Sequence, residues 1–413
     1  MIRKRQISLF EMLMGLSRAV DLISKEVVNH QVRVGYIAFC LGLEMGLSPE
    51  EQDTLFLAGA LHDVGALSLQ ERLDYLEFET QDQLHGERAY RFLRTFPPLA
   101  PAAEYIRYHH TSWRRVKEGA EVPLGSLILH LADRIAVSID EDEHILQQVP
   151  RIKAKIAGQS GGMFKPELVQ VFERLAARQH FWLYTVSNSL YWSLGKLLGP
   201  LTLELDMDGL LGISQLFSRI IDFRSRFTAT HSRGVAASAE ALAMLMGFSA
   251  WECQLIRVAG NLHDLGKLAV PTEILEKSGQ LTDAEYNLIK GHSFYTYHIL
   301  EAIDELEIIT AWAAFHHERL DGSGYPFQIS GDQLSLPARI VAVADVFTAI
   351  TEDRPYRVGM DPDQALSVLR KMAAEGALDK GVVGVLADNL GEVNLVRLRV
   401  QEDAHREYEE FQL

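Results

Sequence analysis

The chain concentrates histidine where carboxylates and glycines stand beside it. Residues 315–326, FHHERLDGSGYP, set His316 and His317 next to Glu318, then Asp321, the turn Gly322-Ser323-Gly324, and Tyr325-Pro326. Two imidazoles at the head of a glycine-rich loop suit a metal site whose substrate must approach the backbone. Upstream stand His231, His263-Asp264 and His292, and downstream stands Asp345. Five imidazoles and two carboxylates are a donor mix for Fe, Mn, Zn or Ni rather than for a thiolate cluster or an all-oxygen calcium site. Seven ligands are too many for one ion but fit two if a carboxylate bridges. Asp264, beside His263 in the middle of the set, is the natural bridge. Two metals about 3.5–4 Å apart lower the pKa of a shared water and aim it at phosphorus, so the expected reaction class is phosphoester hydrolysis.

Cations stand near these ligands. Lys267 follows His263-Asp264 by one helical turn and is expected on the same side. Arg354 and Arg357 flank Tyr356 in DRPYR, soon after Asp345. Guanidinium forks bind phosphate oxygens, and Tyr325 or Tyr356 offers a ring to a base. Singly, such a lysine is ordinarily solvated and such an arginine loop is ordinarily a surface turn. The weight lies in the set, and the set occurs twice.

Ser17-Arg18-Ala19-Val20-Asp21 recurs as Ser218-Arg219-Ile220-Ile221-Asp222, and AGALHDVG from Ala58 recurs as AGNLHDLG from Ala259. In the same register His30 matches His231. After small insertions His85 matches His292, His109-His110 match His316-His317, and Ala132-Asp133 match Ala344-Asp345. Ten of the 15 histidines fall on these matched positions, which chance would not arrange. The chain is therefore expected to be a duplication: a first domain over 1–180, a helical linker over 181–209, and a second domain over 210–413.

Both halves read as all-α. Val32 to Leu43, Ala236 to Met246 and Glu285 to Leu300 carry apolar residues at three-and-four spacing. Ser48-Pro49-Glu50-Glu51 and Thr282-Asp283-Ala284-Glu285 are helix-start signals, and no sustained strand alternation appears. Apolar residues at 47% and charged residues at 23% are those of a globular protein. Polar residues and Pro200 interrupt the most apolar stretch, Phe181 to Leu205, so no membrane insertion is expected. The basic then apolar start, MIRKRQISLFEMLMGL, lacks a small-residue cleavage site and is not read as a signal peptide. Two cysteines, Cys40 and Cys253, fit a reducing cytoplasm. A formal net charge of −16 argues against a nucleic-acid polymer as partner, though not against a small phosphate ligand.

LHDLGK, GHSFYTYHIL, HHERLDGSGYP and DVFTAITEDRPYR resemble, in order, the motifs of HD-GYP domains, a subfamily of the HD metal-dependent phosphohydrolases. The resemblance covers most of the second half. It implies one metal among His231, His263, Asp264 and Asp345, and a second among Asp264, His292, His316 and His317. It implies that Lys267 contacts substrate phosphate and that Gly324, Tyr325, Pro326, Arg354 and Arg357 shape the cleft. The implied cofactors are two divalent ions, Fe or Mn with Ni as an alternative. The implied substrate is cyclic di-GMP, or in a minority of the family the mixed cyclic GMP-AMP, opened to linear dinucleotide and onward to mononucleotide to end a bacterial second-messenger signal. Dimers through helices preceding the catalytic domain are common in the family, which makes residues 181–209 the candidate for a homodimer contact. Two departures stand out. Some members carry a glutamate four residues before the first histidine where this chain has Phe227, so a two-metal site is expected. Thr348 occupies a usually acidic position.

The first half keeps His30, His62, Asp63, His85, His109, His110 and Asp133 but loses the substrate machinery. Ala66 replaces Lys267, and neither a Gly-Tyr-Pro loop nor an RPYR segment follows; Thr111-Ser112-Trp113-Arg114-Arg115 stands in the loop's place. Metal binding without turnover, action on another phosphate compound, and a purely structural copy all fit that pattern. For the whole chain, the rivals to a cyclic-dinucleotide phosphodiesterase are a non-hydrolysing receptor and an HD hydrolase of other nucleotides.

Overall fold

The computed structural model describes residues 7–22, 28–68, 70–71, 73, 84–187, 190, 204–225, 227–353 and 358–412. Arg354, Tyr356 and Arg357 lie outside the described residues, as does most of the 181–209 segment. Helices dominate, as the periodicity predicts. The described strands are two residues each, β1 (Ile7–Ser8) and β2 (Glu204–Leu205), paired antiparallel with Ile7 opposite Leu205.

The first helix, α1 (Leu9–Asp21), precedes one set of helices: α2 (His30–Glu44), α3 (Pro49–Leu61), α4 (Leu84–Leu93), α5 (Ala100–Arg107) and α6 (Leu124–Val137). The second set follows α7 (Met207–Asp222): α8 (His231–Leu245), α9 (Ala250–Leu262), α10 (Asp283–Glu301), α11 (Glu307–Ala314) and α12 (Leu336–Thr351). A last helix, α13 (Leu390–Gln412), packs on α8. The two sets correspond helix for helix. In each, the helix that begins with a histidine packs on the one that ends at a His-Asp pair and on the one that carries the distal aspartate.

Local signals explain the helix starts. Ser48 with Glu51 and Thr282 with Glu285 form capping boxes, as their spacing predicts. The repeat counterpart of the first, Ser249 with Glu252, forms a third. The cores are aliphatic: Val34, Ile37, Leu41, Leu61 and Ile106 in the first half, and Val235, Leu262, Leu300 and Val341 in the second, are buried.

The compact units do not coincide with the repeat. Residues Met1–Ala19 group with Glu204–Leu413, and Val20–Leu203 form the other unit. Local contacts explain the grouping of the chain start. Ile7 pairs with Leu205, and Gly15 leaves room for α1 to lie against Ile299 and Ile303. Burial and the neighbouring Asp304 and Glu305 raise the pKa of Glu11 at the same face.

Candidate metal centre

The second-half site gathers at helix ends. His231 is the first residue of α8, and His263 and Asp264 follow the last residue of α9. His292 lies within α10, His316 and His317 just beyond α11, and Asp345 within α12. All but His317 are buried, and the His317 side chain is 28% exposed, so the centre opens to solvent on that side.

The two oxygens of Asp264 face different histidines. Oδ2 lies 3.1 Å from His263 Nε2 and 3.9 Å from His231 Nε2, while Oδ1 lies 3.3 Å from His292 Nε2. Asp345 Oδ1 lies 3.1 Å from His231 Nε2 and 3.9 Å from His263 Nε2, and its Oδ2 lies 3.9 Å from His317 Nδ1. The Nε2 atoms of His292 and His316 are 3.2 Å apart. Two ligand groups result, His231-His263-Asp264 and His292-His316-His317, each with its donor atoms within 4.8 Å of one another.

The imidazoles are oriented from behind. Nδ1 of His263 lies 2.8 Å from Gly260 O, that of His292 2.6 Å from Ile289 O, and that of His316 2.7 Å from Ala313 O. Each Nδ1 donates to its carbonyl, which leaves Nε2 as a lone-pair donor toward the centre. His231 Nδ1 faces Glu352 Oε2 at 2.9 Å, and Glu352 accepts in turn from Gln401. His263 Nε2 and Asp264 Oδ1 are buried and make no hydrogen bond among the described residues. Inward-facing lone pairs without protons to share fit a metal ion and fit little else.

Against the cost of burial, His263, Lys267 and His292 hold the Asp264 carboxyl well below its ordinary range, so it is an anion. Burial pushes His292 down to about 3 and His317 down to about 4. In the first half it pushes His109 to about 4 and His130 to about 3. The unfolded chain takes up these protons near 6.5, whereas the folded metal-free chain resists them. Stability is therefore present above 6.5 and declines as pH falls below it, because the unfolded state binds more protons. Chelated protein is expected to show a falling melting temperature as pH drops below 6.5; a flat profile would contradict the burial of neutral imidazoles.

Lys267 stands where its spacing predicts, on a 3₁₀ turn (Leu265–Ala269) rather than an α-helical one, with Nζ 2.5 Å from Asp264 Oδ2. Its side chain is 18% exposed. Arg224, which sequence reasoning passed over, clamps this turn. Its Nη1 donates to Lys267 O at 2.7 Å, and its Nη2 donates to Val270 O at 2.9 Å and to Thr272 Oγ1 at 3.1 Å.

The Gly-Tyr-Pro loop folds over the open side. The Tyr325 ring sits 4.9 Å from the His317 ring, and Tyr325 N donates to His317 O. The Tyr325–Pro326 bond is cis. Gly324 lies so close to Glu318 and Arg319 that a Cβ would meet Glu318 Cα at 2.5 Å. Glu318 belongs to the loop rather than to the ligand set: its buried carboxylate accepts from Phe327 N at 2.7 Å and Ile329 N at 3.1 Å. Asp321 Oδ1 accepts from the amide and hydroxyl of Ser323 at the tip. Glu318→Ala leaves two half-buried loop N–H groups without their acceptor. It is expected to loosen the loop by about 1.4 kcal/mol, read as a roughly tenfold rise in KM with metal content unchanged. An unchanged KM would remove the loop from substrate binding. Lys290, with Nζ 4.5 Å from the Tyr286 ring and 5.8 Å from the Tyr325 ring, extends this wall outward; a basic residue two before a ligand histidine was the available sequence signal.

The first half repeats the arrangement. His62 Nε2 lies 3.2 Å from Asp63 Oδ2, His30 Nε2 3.4 Å from Asp133 Oδ1, and His85 Nε2 3.6 Å from Asp63 Oδ1 and 3.1 Å from His109 Nε2. Nδ1 of His62 and of His109 face Gly59 O and Ile106 O, as in the second half. His85, His109 and His110 form a triad, and all seven residues are buried.

Comparison with known proteins agrees with this geometry. Residues 215–382 and, separately, residues 27–138 match the HD domain family. A 3'3'-cGAMP-specific phosphodiesterase of Vibrio cholerae is 33% identical over 388 residues, 91% of this chain and 90% of that protein. The chain belongs to the HD-GYP phosphodiesterases. The cyclic di-GMP phosphodiesterase response regulator RpfG of Xanthomonas campestris is 39% identical over 154 residues, 37% of this chain and 41% of its own. A crystal structure of a cyclic GMP-AMP-specific phosphodiesterase of V. cholerae, V-cGAP3, is 26% identical with a TM-score of 0.66, covering 94% of this chain and 99% of that one. HD-GYP phosphodiesterases are metal-dependent hydrolases of the HD type, and both of the near-full-length matches span both halves of this chain. Among the described residues no helix is long and apolar enough to cross a membrane.

Proposed function

We propose that the second half hydrolyses a cyclic dinucleotide, with 3'3'-cyclic GMP-AMP as preferred substrate and cyclic di-GMP as the second. The observation that carries the hydrolase reading is Asp264, whose two oxygens face two separate histidine groups across one buried anion. His231, His263, Asp264 and Asp345 would hold one divalent ion, and Asp264, His292, His316 and His317 a second, with Fe or Mn suited to the donors. Such a pair, when bound, supplies Lewis acidity toward a phosphodiester and a nucleophile at neutral pH. Lys267 supplies a partly exposed cation beside the bridge for a phosphate oxygen. Tyr325, held on His317, and the loop anchored by Glu318 wall the approach and present a ring to a base. The substrate preference rests on the relatives that match both halves, which are named for cyclic GMP-AMP, whereas the cyclic di-GMP relative RpfG matches over part of the chain.

The test is to incubate the Mn- or Fe-loaded full chain with each cyclic dinucleotide and with bis(p-nitrophenyl) phosphate, following products by chromatography. Linear dinucleotide is expected from both, faster from the mixed one. Failure to cleave any of the three, with metal bound, would sink the hydrolase reading and leave a receptor. A faster reaction with cyclic di-GMP would overturn the preference alone.

A further inference from the structure

The two halves share their ligands but differ in what surrounds them. After Asp345 the second half has Val346; after Asp133 the first half has Arg134. That guanidinium is buried, and it donates to Asp133 Oδ2 from Nη2 at 2.6 Å and from Nε at 3.2 Å. In the second half the matching oxygen, Asp345 Oδ2, is the one turned toward His317, the counterpart of His110. Arg134 thus takes the carboxylate oxygen on the side of the second ligand group. Ala342 of the second half is likewise His130 in the first, with its ring 5.8 Å from that of His110. A buried guanidinium and a buried imidazole therefore stand beside the His85-His109-His110 triad where the second half has two small apolar residues.

The other group is intact. His30, His62, Asp63 and Asp133 converge, and Asp133 Oδ1 is buried, faces His30 Nε2 at 3.4 Å and His62 Nε2 at 3.8 Å, and makes no hydrogen bond of good geometry among the described residues. Gln31 Nε2 donates to Asp63 Oδ2 at 2.9 Å, so a neutral amide does what the Lys267 ammonium does in the second half. No member of the set reaches the exposure of His317 or Lys267. A closed set of four donors is the arrangement of a structural ion; catalytic sites keep an open position.

Charge decides the count. One divalent ion against two carboxylates leaves the guanidinium charge alone uncompensated. A second ion would add two more positive charges among side chains that are all buried, and uncompensated buried charge is expensive. We infer that the first half is a closed structural site for one divalent transition-metal ion, held by His30, His62, Asp63 and Asp133, in which the Arg134 guanidinium replaces the second ion. Phosphodiester substrates have no place there.

The test counts ions in the full chain after loading with Mn²⁺ alone and desalting, by plasma emission against protein concentration. Differences between variants cancel whatever the second half holds, so the count does not depend on the proposed activity. His62→Ala is expected to lose one ion per chain relative to the unaltered protein, and His85→Ala to lose none. Arg134→Val is expected to gain one, and Arg134→Lys, which keeps the charge, to gain none. Unfolding removes ions and cannot add one, so the gain separates this reading from a merely damaged domain. An unchanged count in His62→Ala, a lost ion in His85→Ala, or no gain in Arg134→Val overturns it.

Discussion

Asp264→Ala is expected to lower kcat/KM for any phosphodiester by about 10²–10³-fold, the scale of losing a preorganised electrostatic group at a reacting centre. The residue does three things at once. Its Oδ2 faces His263 and His231, its Oδ1 faces His292, and its charge anchors the Lys267 ammonium. Alanine removes all three and leaves five inward-facing imidazoles with a single carboxylate, Asp345. Metal content of the second half is expected to fall with activity, and that separates this variant from Lys267→Ala, in which the ligands are untouched. Steady-state kinetics and a metal count on the same preparation check both. A variant keeping more than about a tenth of the activity would show that the two histidine groups do not act through a shared carboxylate.

Gly266→Ala is expected to be nearly as damaging without touching a ligand. A Cβ at this position would meet His292 O at 1.9 Å and Thr296 N at 2.8 Å, both backbone atoms of α10 that cannot rotate away. The same turn is tied down by Gly266 N donating to Thr296 Oγ1, which in turn donates to His263 O. Overpacking of this kind costs about 1–3 kcal/mol, and here relief requires α10 to move, carrying His292 with it. A lower melting temperature together with loss of hydrolysis is the expected result. Gly65 has the same neighbour in the first half, where a Cβ would meet His85 O at 2.1 Å. Gly65→Ala should therefore destabilise the first half and leave the chemistry of the second intact. Equal activity of Gly266→Ala and the unaltered chain would refute the argument.

Much of the site was legible in the chain alone because its signals are local or repeated. Ligand chemistry follows from residue type, so five histidines and two aspartates announce a candidate metal centre before any fold is known. Duplication then marks which histidines matter. Ser48, Ser249 and Thr282 set helix starts through contacts three residues long, which a sequence displays directly. Glycine at 266 is also a local signal, although its reason is a carbonyl on another helix.

Other features depend on parts of the chain that meet only after folding. Glu352 is 121 residues from the His231 it orients, and Arg224 is 43 residues from the Lys267 carbonyl it holds. Nothing in the spacing of either pair points to the other. Glu318 stands beside two ligands in sequence yet turns away to bind loop amides, because adjacent residues leave a helix end in different directions. The chain start joins the compact unit of the second half through the Ile7–Leu205 pair and Gly15, and no repeat pattern foretells that. Residue types and their recurrence determined the fold class, the reaction class and the candidate ligands. Tertiary structure decided which oxygen faces which histidine, what holds the lysine and the loop, and where a buried arginine sits, since each of these depends on the relative placement of helices remote in the chain.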